Sequence, residues 1–336
     1  MSGASTVFAV IGAGSWGTAL AILLARNGVK VKLWGHLPEE MQALANDREN
    51  RVFLPGIPFP ENLHPVAELT EALKGVDEVL VAVPSHAFAS ALKNIASYLP
   101  SGIGLCWATK GLEPETGRLL HEVAEEILGN TRPTAVISGP SFAKEVAAGL
   151  PTAVTVASES EVYAERIASY LHSDCFRAYT TNDVIGLEIG GAAKNVMAIG
   201  AGISDGLHFG ANARAALITR GLNEIMRLGL AMGGKMETFI GLGGMGDLVL
   251  TCTDDQSRNR RMGLALARGA TIKQAKQEIG QEVEGVMATR EICSKAHALG
   301  VEMPITEQIQ RVLYQGLEPE ELNEKIGESL SAIAAS

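Results

Sequence analysis

Lys194 lies in Gly190-Gly-Ala-Ala-Lys-Asn-Val-Met-Ala-Ile-Gly200, a helical run of mostly small apolar residues. An ammonium in such surroundings is poorly hydrated, and burial lowers a lysine's pKa towards the range where it can give and take a proton. The competing reading is a lysine whose stem lies on an apolar surface with its head in water. A second cluster, Ser257-Arg-Asn-Arg-Arg261, places three arginines within four positions of a chain in which 28 Lys+Arg and 38 Asp+Glu leave a net charge of −10. Such a local inversion of sign, with Ser and Asn beside it, is suitable donor chemistry for a phosphate. If Ser257 or Asn259 also caps a helix, the helix N-terminus adds partial positive charge. A solvated basic face is the alternative. Asp247, which leaves the glycine-rich stretch Gly241-Leu-Gly-Gly-Met-Gly246, has no donor for a phosphate but could orient Lys194.

A third constellation lies near the start of the chain. The β-branched run Val7–Ile11 passes into Gly12-Ala-Gly-Ser-Trp-Gly17 and then into the helical pattern of 18–27. Gly12 permits the tight turn, Gly14 lets backbone N–H groups approach a pyrophosphate, and Gly17 lets the helix pack on its strand. The second strand ends at Trp34-Gly-His-Leu37 with no Asp or Glu to hold the ribose hydroxyls, which favours NADP or dual use. His36 falls near the adenosine end of such a site, or is simply an exposed loop residue. In an open parallel sheet, ligands bind beyond the carboxyl ends of the strands. Lys110-Gly111 and Gly139-Pro-Ser-Phe-Ala143 occupy such ends, so Lys110 is a cation on the functional rim.

The elements needed to position these groups are legible in outline. Strands are expected at 7–11, 29–34, 78–83, 104–108, 134–138, 152–157 and 177–180, separated by amphipathic helices. This is the pattern of βαβ units and a doubly wound, mostly parallel sheet. From about Asp183 only helical patterns follow, the last at 319–328, with the glycine-rich stretch as a loop among them. The chain therefore divides into an α/β domain, 1–184, that binds the dinucleotide and an all-α domain, 185–336, that carries substrate and catalysis. At 46% hydrophobic and 20% charged residues the chain can bury a sizeable core and is not of the disordered class. Its acidic balance argues against nucleic acid or an anionic membrane as partner. No uninterrupted apolar run suggests a membrane span. The cysteines Cys106, Cys175, Cys252 and Cys293 show no framework spacing, which fits reduced thiols in a cytoplasmic protein. No His or Cys spacing suggests a metal site.

Taken together, these residues point to hydride transfer to or from a small phosphorylated alcohol or ketone. The chain resembles the bacterial-type NAD(P)-dependent glycerol-3-phosphate dehydrogenases over nearly its whole length. The resemblance rests on Val10-Ile-Gly-Ala-Gly-Ser-Trp-Gly17, Ala108-Thr-Lys-Gly-Leu112, Ser138-Gly-Pro-Ser-Phe-Ala143, Lys194-Asn195, Gly246-Asp-Leu-Val-Leu-Thr251, Ser257-Arg-Asn259 and Met303-Pro-Ile-Thr306. It implies a Rossmann domain followed by a helical domain of the 6-phosphogluconate-dehydrogenase-like kind. It also implies reversible reduction of dihydroxyacetone phosphate to sn-glycerol 3-phosphate for phospholipid synthesis, with NADP or NAD and no metal. A homodimer is compatible with it.

By the same resemblance Lys194 exchanges the proton at the substrate oxygen, with Lys110 and Asp247 as catalytic companions. Lys110, Gly139, Ser141, Lys194, Asp247, Ser257, Arg258 and Asn259 would touch the substrate. Gly12, Gly14, Ser15, Trp16, Gly17, His36, Lys110, Ala143, Arg258, Glu282 and Glu284 would touch the dinucleotide. Two positions depart from the pattern: Trp16 is often another aromatic, and Glu282 stands where an apolar residue is more usual. The rival readings are a β-hydroxyacid dehydrogenase of similar architecture and a dinucleotide sensor without catalysis.

Overall fold

The computed structural model describes residues 6–100 and 102–321. They form two compact units: one from the described residues up to 109 together with 120–184, the other from 110–119 together with the described residues from 185 onward.

The first unit is built on eight strands: β1 (Val7–Ile11), β2 (Lys30–Trp34), β3 (Leu63–Val66), β4 (Glu78–Val81), β5 (Gly104–Trp107), β6 (Thr134–Ser138), β7 (Thr152–Ala157) and β8 (Phe176–Thr181). Their order is β3-β2-β1-β4-β5-β6-β7-β8, and every neighbouring pair is parallel except β6 with β7. The order reverses between β1 and β4, the switch point at which doubly wound sheets bind ligands. The helices are α1 (Ser15–Arg26), α2 (Pro38–Asp47), α3 (Leu69–Leu73), α4 (Ser85–Ala96), α5 (Leu120–Leu128), α6 (Ala143–Ala148) and α7 (Glu161–Leu171). Residues 17–25 of α1 are all buried, a consequence of its Ala/Leu/Ile composition against the sheet.

Two elements lie outside the expected pattern for physical reasons. β3 was not anticipated because Leu63-His-Pro-Val66 contains proline, which cannot donate to a ladder. Its place at the sheet edge makes Pro65 tolerable. α2 was hidden by its acidic, weakly apolar surface; Pro38 at its first turn and buried Met41 and Leu44 define it.

The second unit is helical: α8 (Val184–Gly206), α9 (Gly210–Ala231), α10 (Met236–Ile240), α11 (Asp247–Thr253), α12 (Arg258–Ala267), α13 (Ile272–Ile279), α14 (Glu284–Leu299) and α15 (Pro304–Tyr314). No strand occurs in it among the described residues. The expected helix over 319–328 falls largely outside those residues. α8 is the hub. Residues 186–204 are buried without interruption, as a mostly apolar helix must be, with Glu188, Lys194 and Asn195 among them. By length and composition α8 could cross a membrane, but 89% of its apolar window is buried inside the protein, the mark of a core helix.

The glycine-rich stretch is not a loop. Leu242–Gly246 forms a single π-helical turn that runs directly into α11. A Cβ on Gly190 of α8 would lie 2.6 Å from the carbonyl oxygen of Gly243, so glycine at both positions lets this turn rest its backbone on α8. Such π turns are frequent at functional sites. The short segment Lys110–Leu119 also belongs to this unit. Leu112 and Leu119 are buried in its core, each worth roughly 1.5–3 kcal/mol relative to exposure.

Candidate active site

The turn after β1 is shaped for a phosphate-bearing ligand. Gly12 has φ +118°, and a Cβ there would lie 2.4 Å from the carbonyl oxygen of Ala82. A Cβ on Gly17 would lie 1.9 Å from the carbonyl oxygen of Gly12, so only glycine lets α1 begin this close to the strand. Gly14 differs: an added Cβ meets no atom within 4 Å, and no side chain caps α1. Its first N–H groups therefore face outward at the positive end of a helix dipole, the arrangement that receives a pyrophosphate. Trp16 adds a buried Nε1 with no hydrogen-bond partner. These features fit a dinucleotide.

A residue that sequence reasoning missed holds this turn. Asn50, buried, donates to the carbonyl oxygen of Ala13 at 2.9 Å and to Thr18 Oγ1 at 2.9 Å, while its Oδ1 accepts from Phe53 N at 3.1 Å. No local pattern betrays such a brace, because the two groups to which it donates are more than 30 residues away. The other positions singled out in this unit are His36, exposed just after β2, and Gly139, Ser141 and Ala143, which follow β6. Gly139 has φ +142°, and Ser141 Oγ donates to its carbonyl at 2.9 Å.

The helical unit holds the titratable cluster. The π turn sets Asp247 at the start of α11, 1% exposed, with its carboxylate between two ammonium groups. Lys194 Nζ donates to Oδ1 at 2.5 Å and Lys110 Nζ to Oδ2 at 2.7 Å. Lys194 also donates to Thr251 Oγ1 at 3.0 Å, and that hydroxyl in turn donates to the carbonyl oxygen of Asp247 at 2.6 Å. The sequence motif alone gives Thr251 no role. Its spacing of four from Asp247 was the signal, since on a helix that puts both on one face.

Burial pushes the Lys194 ammonium down to a pKa of about 8; Asp247 opposes this shift and Lys110 adds to it. Burial alone would raise the Asp247 carboxyl, but Lys110 and Lys194 outweigh it and hold the group below its ordinary value. The cluster thus carries two positive charges against one negative and contains a lysine poised to titrate near neutrality.

α12 presents the second group. Ser257 caps it, its Oγ accepting from Arg260 N at 3.2 Å, and Arg258 is the first helical residue. Asn259 donates to Asn195 Oδ1 at 2.9 Å and accepts from Gly285 N at 2.8 Å, tying α12 to α8 and α14. The three arginines separate by role. Arg260 is buried among carboxylates, whereas Arg258 lies in the field of Glu284, Arg261 and Glu282. Burial lowers the Arg258 pKa, with Glu284 the strongest counterweight. Arg261 has a buried Nε without a partner. Glu284 opens α14, and Glu282 precedes it, half-buried. Among the described residues no group of three or more His, Cys, Asp or Glu could hold a metal ion.

A doubly wound unit with a glycine turn at its switch point, followed by a helical unit with a buried lysine and an arginine-bearing helix start, defines the class of NAD(P)-dependent oxidoreductases. Residues 7–164 match the N-terminal and residues 183–324 the C-terminal family profile of NAD-dependent glycerol-3-phosphate dehydrogenase. The chain is 57% identical over 311 residues to a glycerol-3-phosphate dehydrogenase [NAD(P)+] of Shewanella halifaxensis, covering 92% of each. It is 56% identical over 315 residues to one of Vibrio parahaemolyticus, covering 94% of this chain and 91% of the relative. The crystal structure of glycerol-3-phosphate dehydrogenase from Coxiella burnetii superposes with a TM-score of 0.94 at 47% identity, over 96% of this chain and 99% of that one. D-mandelate dehydrogenase shares the fold alone, at 15% identity and a TM-score of 0.65. The chain belongs to the glycerol-3-phosphate dehydrogenase family and is an NAD(P)-dependent oxidoreductase.

Proposed function

We propose that this enzyme interconverts dihydroxyacetone phosphate and sn-glycerol 3-phosphate, with Lys194 as the general acid and base, and so supplies a phosphorylated backbone for phospholipid synthesis. The observation that carries the reading is the buried Lys194 ammonium, hydrogen-bonded to Asp247 and Thr251 with its pKa lowered to about 8. The α/β domain, 1–184, binds the dinucleotide through Gly12, Gly14, Ser15, Trp16 and Gly17, with His36 and Ala143 as further contacts. The helical domain, 185–336, handles the substrate. When bound, the dinucleotide gives or accepts the hydride.

The chain's own residues do the rest. Ser257, Arg258 and Asn259 at the start of α12 fix the phosphate, the guanidinium and the helix terminus both favouring a dianion. Gly139 and Ser141 contribute further substrate contacts. Fixing the phosphate limits where the carbonyl can sit, which converts binding energy into orientation. Lys194 donates its proton to the oxygen as negative charge develops there and takes it back in the reverse direction. Lys110 supports the same charge electrostatically. Asp247 keeps the two ammonium groups in register and neutralises part of their repulsion. Arg258 and Glu284 serve the dinucleotide as well, with Glu282 a weaker charge in the field of Arg258. We place the enzyme in the cytoplasm, a reading supported by its four unpaired cysteines.

The test is oxidation of NADH and of NADPH with dihydroxyacetone phosphate, alongside a panel of 3-oxo acids. Turnover is expected with the phosphorylated ketone and with both cofactors. Turnover only on the carboxylates would replace the reading with a β-hydroxyacid dehydrogenase, and cofactor binding without turnover would make the protein a sensor.

A further inference from the structure

Arg260 belongs to the same helix start as the proposed phosphate donors but takes no part in them. Its Nε donates to Asp255 Oδ1 at 2.8 Å, and one terminal nitrogen donates to Asp205 Oδ2 and, at 3.2 Å, to the carbonyl oxygen of Cys252. Asp205, near the end of α8, is also held by Arg214 of α9 at 2.7 Å. One guanidinium therefore ties together α8, the end of α11, the turn before α12 and α12 itself. Only a planar fork with fixed donor directions can satisfy these partners at once.

This knot sits where α8 and α12 are in backbone contact. A Cβ on Gly202 would lie 2.1 Å from the carbonyl oxygen of Arg260, and one on Gly263 would lie 2.0 Å from that of Ile199. No side chain separates the two helices, so they cannot slide past one another without a clash. Towards the other end of the contact, Asn195 accepts from Asn259 at 2.9 Å. Asn195 is the chain neighbour of Lys194. The first turn of α12 is thus gripped through Asn259 by Asn195 and Gly285 and through Arg260 by Asp205 and Asp255, immediately after Ser257 and Arg258.

We propose that Asp205 and Arg260, locked beside the Gly202–Gly263 crossing, are positioning residues that hold the phosphate-binding turn at a fixed reach from Lys194, and thereby set the preference for a ketone bearing a phosphate dianion over its unphosphorylated counterpart. The inference rests on the substrate reading above. A ketone anchored by its phosphate is aligned with Lys194 only if that reach is right, and a misplacement of about 1 Å can cost on the order of 10²-fold in rate. A ketone without the phosphate gains nothing from α12, so its turnover does not depend on the reach.

The experiment compares kcat/KM for dihydroxyacetone phosphate and for dihydroxyacetone in the wild type, Asp205→Asn, Arg260→Lys and Arg258→Ala, with a thermal melt of each. Asp205→Asn is expected to lower kcat/KM for the phosphorylated ketone by about 10- to 100-fold and to leave that for dihydroxyacetone within about twofold. Arg260→Lys, which keeps the cation but cannot span the same partners, carries the same expectation if Asp205→Asn fails to fold. An equal fall on both substrates would mean a merely structural role and overturn the proposal, as would an unchanged ratio. Arg258→Ala separates the two levels. If it abolishes the preference while both knot variants keep it, the positioning role alone falls. If Arg258→Ala itself keeps the preference, the phosphate site is misplaced and both fall.

Discussion

Two ionic clusters lie along α8, each centred on a buried cation and different in construction. Around Lys194, one carboxylate serves two ammonium groups. Around Arg260, two carboxylates serve one guanidinium, with Arg214 as a further cation. The electrostatic outcome differs accordingly. Burial wins at Lys194 and brings its pKa down to about 8, whereas at Arg260 the hydrogen bonds to Asp205 and Asp255 outweigh burial and push the pKa up. The first cluster can release a proton near neutral pH and the second cannot. Burial of charge therefore does not by itself mark a reaction centre. What separates the two is a titratable cation left short of negative charge, against a permanent cation held by two carboxylates.

The largest expected effect tests that contrast directly. Lys194→Ala should lower kcat by roughly 10²–10⁴-fold, the usual loss for an acid/base group. Asp247 keeps its 2.7 Å partner Lys110 and stays close to Thr251, so the variant should remain folded, as a thermal melt would verify. Steady-state kinetics that show near wild-type turnover would move Lys194 to the structural side of the comparison.

The clusters also differ in how far they could be read before the structure. Lys194 was conspicuous because a lysine among small apolar residues breaks a local rule. The glycine turn was legible because its constraints are backbone constraints within six residues. Strands such as Val7–Ile11 and Thr152–Ala157 declared themselves by β-branched composition. Arg260 was visible only as one of three like residues. What sets it apart is Asp205, 55 positions away, and no periodicity encodes such a pairing. The same holds for Asn50 beneath the glycine turn. Lys110 was placed on the rim of the sheet because it follows β5, yet its segment packs with the helical unit, since Leu112 and Leu119 find their apolar neighbours there. The π turn escaped because glycine-rich sequence ordinarily means a loop. Its backbone hydrogen bond from Gly246 N to the carbonyl oxygen of Gly241, with the close approach to Gly190, makes it an element.

The comparison sharpens with pH. Ketone reduction requires the protonated form of Lys194, so kcat/KM in that direction should fall as pH rises through about 8. Alcohol oxidation requires the neutral form and should rise through the same value. Lys110 carries a positive charge that helps to lower the Lys194 pKa. Lys110→Met removes that repulsion and leaves Asp247 to Lys194 alone, so both limbs should move to higher pH while the plateau rate falls. Profiles measured in both directions check the sign. Limbs that stay in place would mean that the two ammonium groups do not share the carboxylate during catalysis.

A third balance of charge, smaller than either, surrounds Arg258. Glu284 opposes its loss of hydration most strongly, Arg261 repels it, and Glu282 contributes least. Glu282 is also the position at which the resemblance calls for an apolar residue. If it acts only as a background charge, Glu282→Leu leaves Arg258 with its principal partner and removes one negative group from the neighbourhood of a site that takes a dianion. The expected result is a fall in KM for dihydroxyacetone phosphate of about twofold, the scale of a partly exposed ion pair, with kcat unchanged. The effect should shrink as salt is raised, because the interaction is screened over about 10 Å at 0.1 M. A rise in the KM for NADH or NADPH beyond about fivefold would instead identify Glu282 as a direct cofactor contact, and its carboxylate would then have to be counted with Glu284 in the binding machinery.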